Sequence, residues 1–151
     1  MQSILFICHG NICRSPMAEF VMKDILRRHL PEEKYCVESA ATSREEIGNP
    51  IYPPVRRVLK DMGVAFDSKK TARQVTASDY DRFDLLVCMD KQNIRNLERI
   101  IPNDPFGKIC RLMDFTEHPR DVADPWYTGD FMQTEHDVTE GCRALFETFF
   151  K

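Results

Sequence analysis

Cys8 and Arg14 bound the segment Cys8-His9-Gly10-Asn11-Ile12-Cys13-Arg14-Ser15, which runs directly into Pro16. An ionised thiol is a nucleophile, and an arginine at this spacing offers a planar fork that matches two oxygens of a phosphoryl group. Gly10 admits backbone angles closed to other residues, and Asn11 tolerates the left-handed region better than most. A loop curled in this way aims successive amides inward as an anion nest. A helix starting at its end would add a positive dipole to the same point. His9, Gly10, Asn11, Ile12, Cys13, Arg14 and Ser15 would then hold a tetrahedral oxyanion above the Cys8 sulfur, with the Ser15 hydroxyl placed to donate to that sulfur. The same field favours thiolate over thiol. The chemistry expected is attack by sulfur on phosphorus. The rival reading is a small buried thiol in a plain strand–helix turn. A nucleotide P-loop does not fit, because no Gly-Lys-Ser/Thr follows a glycine at the required spacing.

Such a loop needs a strand before it and a helix after it. Ile4 to Cys8 is an apolar run of strand length, and Tyr35–Ser39, Leu85–Met89 and Ile109–Met113 are others. Pro16 to Leu30 carries Ala18, Val21, Met22, Ile25 and Leu26 at helical spacing, with Pro16 in the tolerant first turn. Pro54 to Met62 predicts a second helix closed by Gly63. Asp90 can cap a third that runs to Ile101, and Phe131 to Phe150 predicts the last, with Gly141 an awkward residue in its middle. Strands alternating with helices predict an α/β fold. The expected architecture is a single three-layer domain over 1–151, a four-stranded parallel sheet with helices on both faces and the phosphate loop after the first strand. Right-handed crossovers put the strand C-termini on one edge, where ligands of such sheets bind and where Cys8 would stand.

Composition restricts the partners. A formal net charge of −3 over 151 residues leaves no broad basic field, which argues against nucleic acid as a partner. No apolar stretch is long enough for membrane insertion, and the first residues lack the features of a signal peptide. The six cysteines show no Cys-x-x-Cys pair and no histidine pair at zinc spacing, so no metal or cofactor is expected. They read as reduced thiols of a cytoplasmic protein.

Cys8-x-Gly-Asn-Ile-Cys-Arg-Ser-Pro, with Ala18-Glu19 just after, resembles the signature of the low-molecular-weight protein tyrosine phosphatases. The resemblance continues in Ser39-Ala40-Ala41-Thr42-Ser43, Ile47-Gly48-Asn49-Pro50, Ala72-Arg73-Gln74, Cys88-Met89-Asp90 and Asp124-Pro125-Trp126-Tyr127, in the family's order over nearly the whole chain. It implies hydrolysis of phosphotyrosine in proteins or peptides through a phosphocysteine, with inorganic phosphate as product. It assigns Cys8 as nucleophile, Arg14 as phosphate ligand and Asp124 as general acid. The residues alone leave Asp114 and Asp121 as rivals to Asp124. The resemblance also implies that Asn11 and Ser39 support the loop, that Ser15 tunes the sulfur, and that Cys13 can pair reversibly with Cys8 under oxidation. Trp126 and Tyr127 are expected as cleft walls, and Asp90 as a helix cap. His9 is expected to face solvent.

Two positions depart from the family pattern. Arg44 and Glu45 precede Glu46-Ile47-Gly48-Asn49-Pro50 where relatives often carry an aromatic. An acidic rim at Glu45 would disfavour acidic phosphopeptides and could favour basic ones. Lys70 stands where some relatives have histidine, which puts an outer hydrogen bond in doubt. Among other readings, a protein arginine phosphatase tends to have threonine where this chain has Ile12. An arsenate reductase needs further cysteines near Cys88. A non-catalytic phosphate-binding adaptor would have lost Cys8 or Asp124.

Overall fold

The structure, a computed structural model, describes residues 1–150. Residues 3–8 are buried without a break, so the first strand, β1 (Gln2–Cys8), has to be covered on both faces. It is central in a sheet of order β2-β1-β3-β4, with β2 (Tyr35–Ala41), β3 (Leu85–Cys88) and β4 (Ile109–Arg111) all parallel to it. Side chains alternate along β1. Ile4, Phe6 and Cys8 join one core, and Leu5 and Ile7 join the other.

The first core is closed by α1 (Arg14–Arg27), α2 (Pro53–Asp61) and α6 (Phe131–Leu145), through residues such as Met17, Val21, Met22, Val55, Val138 and Leu145. The second is closed by α3 (Asp79–Arg82) and α4 (Lys91–Leu97), with Tyr80, Phe83, Leu97 and Ile101. This is the predicted three-layer arrangement. The chain leaves β1 for β2 on one side and later returns to β3 on the other, so the crevice beyond the C-termini of β1 and β3 is a topological switch point. Cys8 ends β1 at that crevice.

The element boundaries differ from the pattern in physical ways. The first helix stops at Arg27, short of Leu30, because Pro31 disfavours helix in the residue before it. β4 has three residues, and Leu112–Phe115 turns into a 3-10 helix instead of continuing the strand. The third predicted helix ends at Leu97, and the last regular helix at Leu145, with Phe146–Phe150 widening into a π turn. Short α3 and α5 (Pro125–Thr128) carry too little apolar periodicity to be read from sequence. Gly141 belongs inside α6 for reasons of space: a Cβ there would lie 2.5 Å from Leu112 Cγ. Gly63, at φ +73°, ends α2 as expected.

Candidate active site

The loop from Cys8 to Ser15 closes tightly. Asn11 is the one non-glycine residue at positive φ among the described residues, at 62°, as its type allows. Gly10 corrects the sequence reading, since it does not take a left-handed conformation. Its side-chain position is filled by a neighbour instead: a Cβ at Gly10 would stand 3.3 Å from Glu46 Cγ. No side chain caps α1, whose first-turn amides are left for an anion at the loop.

The Cys8 sulfur is almost fully buried and meets two hydrogen-bonding groups. The Asn11 amide donates to it at 3.3 Å, and Ser15 Oγ lies 3.0 Å away. The direction of the Ser15 bond follows from its other partner. Asn11 Nδ2 donates to Ser15 Oγ at 2.8 Å and to Ser39 Oγ at 2.9 Å. Each hydroxyl thus accepts from Asn11 and has its own hydrogen to give. Ser15 gives it to sulfur, and Ser39 gives it to Glu19 Oε1 at 2.6 Å. The Asn11 carboxamide is itself oriented by the Arg73 amide, 3.2 Å from its Oδ1, and by Lys70 Nζ at 3.3 Å.

Lys70 resolves the doubt raised by its departure from the family. It supplies the outer hydrogen bond with an ammonium, and its Nζ also lies 3.6 Å from the buried carboxylate of Glu19. Burial pulls the Lys70 ammonium below its ordinary pKa, partly opposed by Glu19. Lys23 Nζ meets the other Glu19 oxygen at 2.7 Å. Glu19 was legible only as part of the motif, yet it anchors the chain of hydrogen bonds that ends on Cys8.

Arg14 is 2% exposed and held by residues distant in sequence. Its Nη1 donates to Asp90 Oδ2 at 2.6 Å and to the Val122 carbonyl at 2.8 Å, and Nη2 donates to Asp124 Oδ2 at 3.3 Å. Burial alone would lower the guanidinium pKa, but Cys8, Asp124 and Asp90 outweigh it and raise it. With Nη1 occupied twice, the Nε–Nη2 edge is the pair of donors left for two phosphate oxygens. Asp90 is the residue whose importance sequence reasoning understated. It caps α4 through Oδ1, which accepts the Asn93 amide at 2.7 Å, and fixes Arg14 through Oδ2.

Asp124 caps α5, with Oδ1 accepting the Trp126 amide at 3.0 Å, and the extended backbone expected before Pro125 turns its carboxylate toward Arg14. Its rivals lie elsewhere: Asp114 and Asp121 both pair with Arg111. Cys8, His9, Gly10, Ile12, Cys13, Arg14, Glu45, Glu46, Asp124, Trp126 and Tyr127 line one cleft of about 150 Å³, comparable with cavities that take a single benzene ring. Trp126 and Tyr127 line it with exposed side chains. His9 does not simply face solvent, since its Nε2 pairs with Glu45 Oε2 at 2.7 Å. Cys13 is buried at the cleft floor, and burial, with Cys8 and Asp124, pushes its thiol up to about 12. All six cysteines are free. His136, Asp137 and Glu140 approach one another on α6, but Arg120 pairs with Asp137 and Glu140, so the group reads as an ion-pair cluster.

A thiol and a guanidinium on a loop at the switch point of a parallel sheet define a class of protein that binds oxyanions over cysteine. Comparison with known proteins narrows this. The chain belongs to the family described as low molecular weight phosphotyrosine protein phosphatase, whose model matches residues 3–151. It is 43% identical over 152 residues to the low molecular weight phosphotyrosine protein phosphatase of Gallus gallus, covering 97% of this chain and 95% of that one. It is 38% identical over 153 residues to the low molecular weight protein-tyrosine-phosphatase YfkJ of Bacillus subtilis, covering 100% and 97%. The crystal structure of YfkJ superposes with a TM-score of 0.94 over 99% of this chain and 95% of that one. DARP, described as a drosophila arginine phosphatase, shares the fold at a TM-score of 0.86 and 26% identity, covering 100% and 99%. Among the described residues no helix is long and apolar enough to cross a membrane.

Proposed function

We propose that this protein hydrolyses phosphotyrosine monoesters in proteins or peptides, in the cytoplasm, through a phosphocysteine on Cys8 and without a metal or cofactor. The observation that carries the reading is the sulfur of Cys8 seated between the Asn11 amide and the Ser15 hydroxyl, with the Arg14 fork and an uncapped helix end beside it. In the first step the Cys8 thiolate attacks phosphorus and the S–P bond forms as the P–O bond to the tyrosine breaks. The Nε–Nη2 edge of Arg14 and the loop amides hold the remaining oxygens, where charge stabilisation of this kind is commonly the largest catalytic contribution. Asp124 gives its proton to the departing phenolate. In the second step water attacks phosphorus, Asp124 takes the water's proton, the S–P bond breaks and inorganic phosphate leaves.

The substrate preference rests on the walls. Ile12 lines the cleft together with Cys8, and Trp126 and Tyr127 line it as apolar surface for an aryl ring. A phosphoarginine guanidinium would have to share that space with the Ile12 side chain. Nucleic acid is not a proposed substrate, given the net charge of −3. Cys13, a thiol at neutral pH, is the proposed partner of Cys8 when a peroxide oxidises that sulfur to a sulfenic acid, the disulfide forming as water leaves.

The test is a parallel assay on phosphotyrosine, phosphoserine and phosphoarginine peptides with the wild-type chain and Cys8→Ser. Turnover of phosphotyrosine well above the other two, abolished in the variant, is expected. Preference for phosphoarginine would replace this reading with the arginine phosphatase one, and no turnover of any would leave the adaptor.

A further inference from the structure

The mouth of the cleft holds more acid than the hydrolysis uses. Glu45 and Glu46 both line it, and each is tied down. His9 Nε2 lies 2.7 Å from Glu45 Oε2, and since a carboxylate only accepts, Nε2 carries the hydrogen. His9 directly follows the nucleophile, so this bond ties the Glu45 segment to the phosphate loop. Glu46 packs over Gly10, and its Oε2 accepts from Asn49 Nδ2 at 2.6 Å. Two carboxylates are therefore held at the entrance.

Little positive charge balances them. Arg14 lies at the floor and already faces Asp90 and Asp124. Arg44, next to Glu45 in sequence, turns to Gln74 Oε1 at 3.3 Å and does not line the cleft. His9 is the remaining lining side chain that can become cationic. A phosphoryl group that reaches the floor thus brings its flanking residues past an acidic rim, and like-charge juxtaposition there costs binding while opposite charge speeds encounter.

We propose that Glu45 and Glu46, with His9 holding the first, select phosphotyrosines flanked by lysine or arginine. This rests on the phosphotyrosine reading above and names the class of substrate within it. The experiment compares kcat/KM for two phosphotyrosine peptides of equal length, one with lysines and one with glutamates on both sides, with 4-nitrophenyl phosphate as a substrate that carries no flanks. At low ionic strength the basic peptide is expected to be favoured about tenfold, and the ratio should shrink as salt screens the rim. In the double variant Glu45→Gln/Glu46→Gln the ratio should fall to near one; it is taken within one enzyme, so general losses of activity cancel. A wild-type ratio of one or below, or one that salt leaves unchanged, overturns the proposal. So does a ratio that survives in a folded double variant. Equal turnover of both peptides, with the aryl phosphate also hydrolysed, removes the rim alone. No turnover of any of the three removes the phosphatase reading and the rim together.

Discussion

Asp124 Oδ2 lies 3.3 Å from Arg14 Nη2, while its Oδ1 accepts the Trp126 amide hydrogen at 3.0 Å. The proposed acid thus rests on the same nitrogen that the proposed mechanism hands to a phosphate oxygen. That nitrogen carries two hydrogens, so it can hold Asp124 with one and offer the other, together with Nε, to a phosphate oxygen.

Asp124→Asn keeps the cap on α5, because an amide oxygen still accepts from Trp126, but cannot deliver a proton. It should lower kcat by about 10²–10⁴-fold for phosphotyrosine. For 4-nitrophenyl phosphate, whose leaving group needs little protonation, the loss should be smaller. A leaving-group series read by steady-state kinetics checks this. An equal loss across the series would remove Asp124 as the acid.

Asp90 serves two partners with two oxygens, the Asn93 amide through Oδ1 and Arg14 through Oδ2. An asparagine can serve only one of them as acceptor. Asp90→Asn should therefore unfold close to wild type but lose about 10–100-fold in kcat/KM, through a misplaced guanidinium. Asp90→Ala should lose both the activity and about 1 kcal/mol of stability with the cap. Chemical denaturation alongside kinetics separates the two roles. A fully active Asp90→Asn would show that Arg14 does not depend on this contact.

Stability should fall in acid partly through Asp79. Burial alone would raise its carboxyl, but hydrogen bonds from Arg73 and the Thr76 amide outweigh burial and hold it below the ordinary aspartate range. Its native pKa is depressed, so its stabilising contribution is present above the unfolded value and lost as pH falls through the native one, below about pH 4. Asp79→Asn should flatten the acid limb of unfolding free energy against pH. An unchanged limb would assign acid sensitivity elsewhere.

The phosphate loop was readable because its parts are contiguous: Cys8, Asn11, Arg14 and Ser15 lie within one strand–loop–helix unit, where spacing is geometry. The four-stranded parallel sheet follows from alternating strands and helices, and the unbroken apolar run Ile4 to Cys8 marks a strand covered on both faces, while the order β2-β1-β3-β4 was not legible in the sequence. What lay hidden depends on convergence between strands. Asp90 follows β3 and Asp124 follows the turn after β4, and only the parallel sheet brings both to Arg14. Glu19 entered the sequence reading only as part of the motif, and its burial against Ser39 and Lys70 has no local sequence signal. Gly141 read as a flaw in a helix until Leu112 showed what occupies its side-chain space. Gly10 was expected to provide unusual backbone angles, whereas it provides room for Glu46.

The central claim is that phosphate passes through the sulfur of Cys8. The most direct measurement is to mix the protein with an aryl phosphate, quench with acid within a turnover, and map the phosphorylated peptide by mass spectrometry. The account predicts a phosphoryl group on Cys8, absent in Cys8→Ser and longer-lived in Asp124→Asn, where water is poorly activated. A phosphoryl group on another residue, or turnover that persists in Cys8→Ser, would contradict it.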